Sequence, residues 1–248
     1  MYLGIDIGAS FCKAVVIEQN LNVLYTARKK MPNSINTESV KFVEHDISEI
    51  LRLIYDLIKS ISNKVLMRID GIGISGQMHG ILLLDGLNNP VTNFISWQDQ
   101  RATDLLSKSQ ETYLNILKDN LQKYGSLTGT DLRSGMMGPL LFWFKRNGYL
   151  NNNAEIKATF ISDYIVSVLT EKEPLCDPTN ASGSGIYNIK DGEWLNEYLE
   201  ITGIDYNILP NVVESKSLAG QLAYSQSKKL NMKQGTPVYV SIGDYQAT

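Results

Sequence analysis

The chain opens on short apolar runs broken by turn residues. Tyr2 to Ile7 reads as a strand, Gly8-Ala9-Ser10 as a tight turn, and Cys12 to Glu18, with its β-branched Val15-Val16-Ile17, as a second strand. A turn at Gln19 to Asn22 and a third strand from Val23 to Lys30 complete an antiparallel meander. The period then changes. Val43, Ile47, Ile50, Leu51, Ile54, Leu57, Ile58 and Ile61 recur at three- and four-residue steps, which predicts an amphipathic helix over 40–62. A strand from Arg68 to Ser75 follows, and a strand after a helix suggests a crossover to a parallel neighbour. Ile81 to Leu84 and Phe94-Ile95 read as short strands around the turn Asp85 to Pro90. Helices are expected over about 99–123, 138–147, 162–170 and 194–202, a loop from Pro174 to Ser184, and a closing strand from Val238 to Ile242 that delivers Gly243-Asp244. The alternation predicts an α/β fold.

Composition narrows the partners. The 248 residues, 43% hydrophobic and 20% charged, suit an ordinary soluble domain with a sizeable core. A net charge of −3 and only short basic clusters, Arg28-Lys29-Lys30 and Lys228-Lys229, argue against nucleic-acid binding. Cys12 and Cys176 have no metal-ligand spacing, and so few cysteines suit a reducing cytoplasm. Asp6 stands where a signal peptide would need an apolar run, and no window approaches the ~20 apolar residues of a membrane span. A cytoplasmic, soluble protein without membrane contact is expected.

Four segments carry candidate chemistry. In Asp6-Ile7-Gly8-Ala9-Ser10-Phe11-Cys12-Lys13 a strand ends in a carboxylate and turns through glycine. Gly8 lets backbone approach a ligand, the turn amides suit an anion, and Asp6 suits Mg²⁺, a hard cation that prefers oxygen. In Ser75-Gly76-Gln77-Met78-His79-Gly80, glycines bracket three side chains able to bond or to make soft apolar contact. In Trp97-Gln98-Asp99-Gln100-Arg101, an indole precedes a carboxylate and a guanidinium, which suits a polyol: aromatic faces cover C–H groups and ionised groups bind hydroxyls. Gly243-Asp244-Tyr245-Gln246-Ala247-Thr248 places an acid at the carboxyl end of a strand, where open α/β sheets hold ligands. Each segment alone also has an ordinary structural reading, as a turn, a loop histidine or a buried ion pair.

Taken in order, these segments, with Asp177-Pro178-Thr179-Asn180-Ala181-Ser182-Gly183, resemble the FGGY carbohydrate kinases over essentially the whole chain. Leu209-Pro210, Val212-Val213-Glu214-Ser215 and Ala219-Gly220 extend the likeness, which leans towards the sedoheptulokinase- and xylulokinase-like branch. The resemblance implies a ribonuclease-H-like, actin-like ATPase domain with a mixed sheet, an opening antiparallel hairpin meander and flanking helices. It implies ATP and Mg²⁺ as cofactors and a small sugar as the partner substrate. Asp244 would be the catalytic base, Asp6 the metal-side acid, and Gly8, Ser10 and Lys13 the phosphate contacts. Gln77, Met78, His79, Trp97, Asp99 and Arg101 would form the sugar pocket.

Two departures stand out. The family commonly has threonines in the opening turn, where this chain has Ala9 and Ser10; a missing hydroxyl there costs ~1 kcal/mol of one phosphate contact. Residues 1–248 would correspond to the amino-terminal, sugar-binding half, without the carboxy-terminal nucleotide-binding domain that closes over the substrate. The piece by itself is therefore expected to be inactive or weak. A non-catalytic sugar-binding or regulatory module on this scaffold, or another actin-like ATPase, remains open at this point.

Overall fold

The computed structural model describes residues 1–35, 37–107, 109–150 and 155–247. Its first strands, β1 (Tyr2–Ile7), β2 (Phe11–Ile17) and β3 (Val23–Lys30), form the expected antiparallel meander. Helix α1 (Ile47–Lys59) crosses back to β4 (Gly71–Gly76), which pairs parallel with β1. The chain then passes through α2 (Tyr113–Leu121), α3 (Met137–Arg146), α4 (Ile161–Thr170) and α5 (Pro178–Ser182). It returns to the sheet as β5 (Leu218–Gln221), β6 (Pro237–Tyr239) and β7 (Ile242–Gly243). Strand order is β5-β6-β4-β1-β2-β3, and β7 takes over from β6 beside β4.

Strand alternation divides the sheet into two unlike faces. Leu3, Ile5 and Ile7 of β1 and Cys12, Ala14 and Val16 of β2 are buried together with Ile50, Ile54, Leu57 and Ile58 of α1 and Ile165 and Leu169 of α4. Each large aliphatic side chain contributes about 1.5–3 kcal/mol by leaving water. The opposite face presents Gly4, Asp6, Lys13, Gly73 and Ser75 to an open cavity. A second apolar cluster gathers Tyr113 and Leu117 of α2, Leu140, Leu141 and Phe144 of α3, and Trp194 and Tyr198.

Several elements depart from the sequence reading. The helix expected over 40–62 starts at Ile47, because Asp46 caps it, accepting from the Ser48 N–H at 2.8 Å, and Glu44–His45 pair with Phe94–Ile95. The strand expected from Arg68 begins at Gly71, after a helical turn at Asn63–Leu66. Over 99–123 the described residues give a 3-10 turn at Arg101–Thr103 and then α2, capped by Thr112, whose hydroxyl accepts from the Asn115 N–H at 3.1 Å. Lys108, within that span, lies outside the described residues. The supposed loop from Pro174 to Ser184 holds a strand, Leu175–Cys176, and α5. The helix expected over 194–202 begins at Asn196, since Glu193–Trp194 pair with Tyr187–Asn188. The closing strand is split into β6 and β7, and Ser241 between them turns its hydroxyl to Asp163. Helices α3 and α4 lie within a residue of expectation. Among the described residues no helix is long and apolar enough to cross a membrane.

Candidate active site

The sheet register assembles the site. Asp6 stands opposite Ser75 of β4 on one side and Lys13 of β2 on the other. The Ser75 hydroxyl donates to Asp6 Oδ1 at 3.0 Å, and Lys13 Nζ donates to Oδ2 at 3.1 Å. On the other flank of β4, Ile242 of β7 stands opposite Ser75 and Gly243 opposite Gly76, so Asp244 leaves the sheet at the same end as Asp6. Burial pushes the Asp244 carboxyl above its ordinary range and the negative charge of Asp6 adds to this, while the Tyr245 N–H and His79 pull the other way.

The turn after β4 supplies the next groups. Gln77 donates its N–H to the Ile7 carbonyl at 3.1 Å, and its side chain is buried with Oε1 unpartnered among the described residues. A buried acceptor left without a donor costs about 1–3 kcal/mol, so this oxygen favours a ligand that donates. His79 Nδ1 lies 2.7 Å from the Gly183 carbonyl, which only accepts; Nδ1 therefore carries a proton, which leaves Nε2 as an acceptor whenever the ring is neutral. Met78 packs rather than bonds: a side chain at Gly243 would meet its Cγ at 2.5 Å.

Two cavities meet at this end of the sheet. One, of about 750 Å³, is lined by Gln77, Met78, His79, Trp97, Arg133 and Asp244. The other, of about 1280 Å³, is lined by Asp6, Gly8, Lys13, Arg28, Ser75 and Asp244. Asp244 thus borders both. Trp97 is 45% exposed and offers its ring to the smaller cavity. Ser10 is exposed at the hairpin tip, where its carbonyl accepts from the Met31 N–H at 2.9 Å; it lines neither cavity, contrary to the expected phosphate contact.

Asp99 and Arg101 also depart from expectation, since the structure does not bring them to the smaller cavity. Asp99 is wholly buried, and its Oδ2 accepts the Val43 N–H at 2.8 Å. Arg101 grips it from both sides: Nε donates to Asp99 Oδ1 and Nη2 to Oδ2, each at 2.9 Å. Nη2 also donates to Glu44 Oε1 at 2.5 Å, and the guanidinium stacks over the Phe42 ring at 4.3 Å. These charges hold the fold together. Conversely, Ser75, Thr179 and Arg133 were not singled out from the sequence. Thr179 had a visible signal, because Asp177-Pro178 is a capping residue followed by proline at the first helical position. Arg133 had none.

The chain is similar to known proteins along its whole length. Residues 1–248 match the model of the FGGY family of carbohydrate kinases, N-terminal domain. A probable L-xylulose kinase of Haemophilus influenzae is 32% identical over 253 residues, covering 100% of this chain and 50% of that protein. The mouse sedoheptulokinase is 26% identical, with 99% of this chain and 53% of that one covered. The ligand-bound xylulose kinase of Lactobacillus acidophilus superposes with a TM-score of 0.85 at 26% identity, over 98% of this chain and 48% of that one. The chain spans about half the length of the curated relatives it matches. The match along the whole chain places it in the FGGY family of carbohydrate kinases.

Proposed function

We propose that the protein transfers the γ-phosphoryl group of ATP to a hydroxyl of a small sugar, a ketose such as xylulose or sedoheptulose. The observation that carries this reading is the position of Asp244, a residue that borders both the cavity walled by Gln77, His79 and Trp97 and the one walled by Asp6, Gly8 and Lys13. A polyol in the smaller cavity lays its C–H faces on Trp97 and donates hydroxyls to Gln77 Oε1 and His79 Nε2. Phosphates lie in the larger cavity, where Lys13 acts as a point charge and Gly8 allows the backbone to come close.

In the proposed step the sugar oxygen forms the bond to the γ-phosphorus and its proton passes to Asp244. The bond to the bridging oxygen breaks, and its electron pair leaves on ADP. The raised pKa of Asp244 makes it a better proton acceptor than an ordinary aspartate. Positioning and charge neutralisation carry most of the acceleration, because the transition state of phosphoryl transfer is loose.

Magnesium enters with the nucleotide. The Asp6 carboxylate keeps part of its surface open beside Ser75 and Lys13, so it would hold a hard divalent cation together with phosphate oxygens. Among the described residues no cluster of three or more His, Cys, Asp or Glu forms a metal cage, and Mg²⁺ held by one or two carboxylates plus phosphates needs none. Bound there, the ion would neutralise charge on the phosphate oxygens.

The adenine and ribose contacts we assign to the half of the relatives that this chain does not match; residues 1–248 alone then bind sugar weakly and transfer phosphoryl groups poorly. The two cysteines, buried and unpaired, suit a reducing cytoplasm. The test is sugar-dependent ADP release over a panel of ketoses and polyols with MgATP, using this chain joined to a carboxyl-terminal half. Asp244→Asn should lower turnover by ~10²–10⁴ while sugar affinity persists. Failure of every sugar to raise ADP release would sink the reading.

A further inference from the structure

We propose that helix α5 is the positioning element of the site: Thr179 at its start fixes Asp244, and Gly183 at its end fixes His79. The spacing of base and imidazole is then set by little more than one helical turn. This inference rests on the reaction proposed above.

Asp177 anchors the turn. It is wholly buried; its Oδ1 accepts the Thr179 N–H at 2.8 Å, the Asn180 N–H at 3.1 Å and the Thr179 hydroxyl, and its Oδ2 accepts the Ser215 hydroxyl at 2.6 Å. Having given its one proton to Asp177, Thr179 Oγ1 has only lone pairs left. It uses one to accept the Gly243 N–H at 2.8 Å, the amide immediately before Asp244. Two residues upstream the chain is held again. Ser241 donates to Asp163 Oδ1 at 2.5 Å and accepts from Asn180 Nδ2 at 3.0 Å.

The far end of the helix holds the imidazole. The Gly183 carbonyl accepts from His79 Nδ1 at 2.7 Å, and a Cβ at Gly183 would lie 2.4 Å from the Met78 carbonyl oxygen. Thr179 and Asn180 line neither of the two cavities, so both act through Asp244 rather than on the substrate.

The test compares Thr179→Val, which keeps the shape and removes the acceptor, with Thr179→Ser, which keeps the acceptor. Misplacing a reacting group lowers rate far more than affinity, so Thr179→Val should reduce kcat by roughly 10- to 100-fold with the sugar KM within about twofold of wild type. Thr179→Ser should restore kcat. Hydrogen exchange of the Gly243 amide, which needs no activity, should accelerate in the valine variant and stay slow in the serine variant. Gly183→Ala pushes on the Met78-His79 backbone and should raise the sugar KM more than it lowers kcat. A valine variant that turns over at the wild-type rate per folded molecule overturns the proposal, as does a serine variant that fails equally. A wild-type protein without sugar-dependent ADP release counts against the reaction itself. Gly243 exchange then decides the positioning claim alone, and unchanged exchange in the valine variant overturns it.

Discussion

Asp163 is buried behind the site, and replacing it by asparagine should change how stability depends on pH. Burial drives its carboxyl up from an ordinary value of 3.8 to about 7; hydrogen bonds from Ser241, Cys176 and Asn180 oppose the rise, and the charge of Asp177 adds to it. The group is wholly buried and its Oδ2 has no partner among the described residues, so ionisation in the folded state is expensive. The sign follows from proton binding. Between 3.8 and about 7 the folded protein keeps a proton that the unfolded chain has released, so stability from this group is fully present below 3.8 and is lost as pH rises through about 7. The separation of the two values corresponds to roughly 4 kcal/mol, of which more than half falls between about pH 5 and pH 8.

The assay is urea unfolding of wild type and Asp163→Asn across that pH range, comparing free energies at constant m. Groups common to both proteins, Asp244 included, cancel in the difference. The amide can still accept from Ser241 and Asn180, while its NH₂ meets no acceptor where Oδ2 had no donor, so the absolute stability of the variant is not the readout. The slope is. Wild type should lose roughly 2–3 kcal/mol relative to the variant on going from about pH 5 to pH 8. Parallel curves over that range would refute the reasoning, because they would mean that Asp163 is already ionised in the folded protein at the acid end.

Two further predictions concern the other charged groups. Arg101→Ala leaves the buried Asp99 without its counter-ion and should destabilise by about 3–5 kcal/mol in urea unfolding, with the sugar KM of the folded fraction nearly unchanged. Asp6→Asn removes the negative charge that helps to raise Asp244, so the Asp244 carboxyl, followed by ¹³C NMR, should titrate at lower pH than in wild type; His79→Gln should move it the opposite way.

Much of the fold was legible because local pattern and tertiary environment agree. Strand β1 and strand β3 begin and end within a residue of the bounds read from the sequence, and the buried face of α1 is the one its three- and four-residue spacing marks out. The errors arise where a distant partner decides. Val43 continues the helical apolar spacing, but its N–H is held by Asp99, fifty-six residues away, and the helix waits for the Asp46 cap. The stretch from Asp99 onward lacks glycine or proline before the expected helix end at 123, yet Asp99 binds the Arg101 N–H through its side chain and turns the chain locally. The same residues misled the reading of the site. A carboxylate and a guanidinium two positions apart can face a sugar or close on each other. Only the surrounding Phe42, Glu44 and Trp143 decide, and they lie far from Asp99 in sequence.

Asp6 and Asp244 carry less of that ambiguity, because each stands at a strand end. The strands that lead to them flank β4, so Asp6 and Ile242, two residues before Asp244, stand two strand spacings apart, roughly 10 Å. Asp244 is near enough for the charge of Asp6 to act on it. The two acids are nevertheless unlike. Asp6 is committed to Lys13 and Ser75 and lines the larger cavity, whereas Asp244 has its proton affinity raised and also borders the smaller one. Exchanging the roles would put the better base beyond reach of the sugar hydroxyl and the lysine-paired acid beside it. In the proposed reaction, then, the sheet register itself decides which aspartate takes the proton.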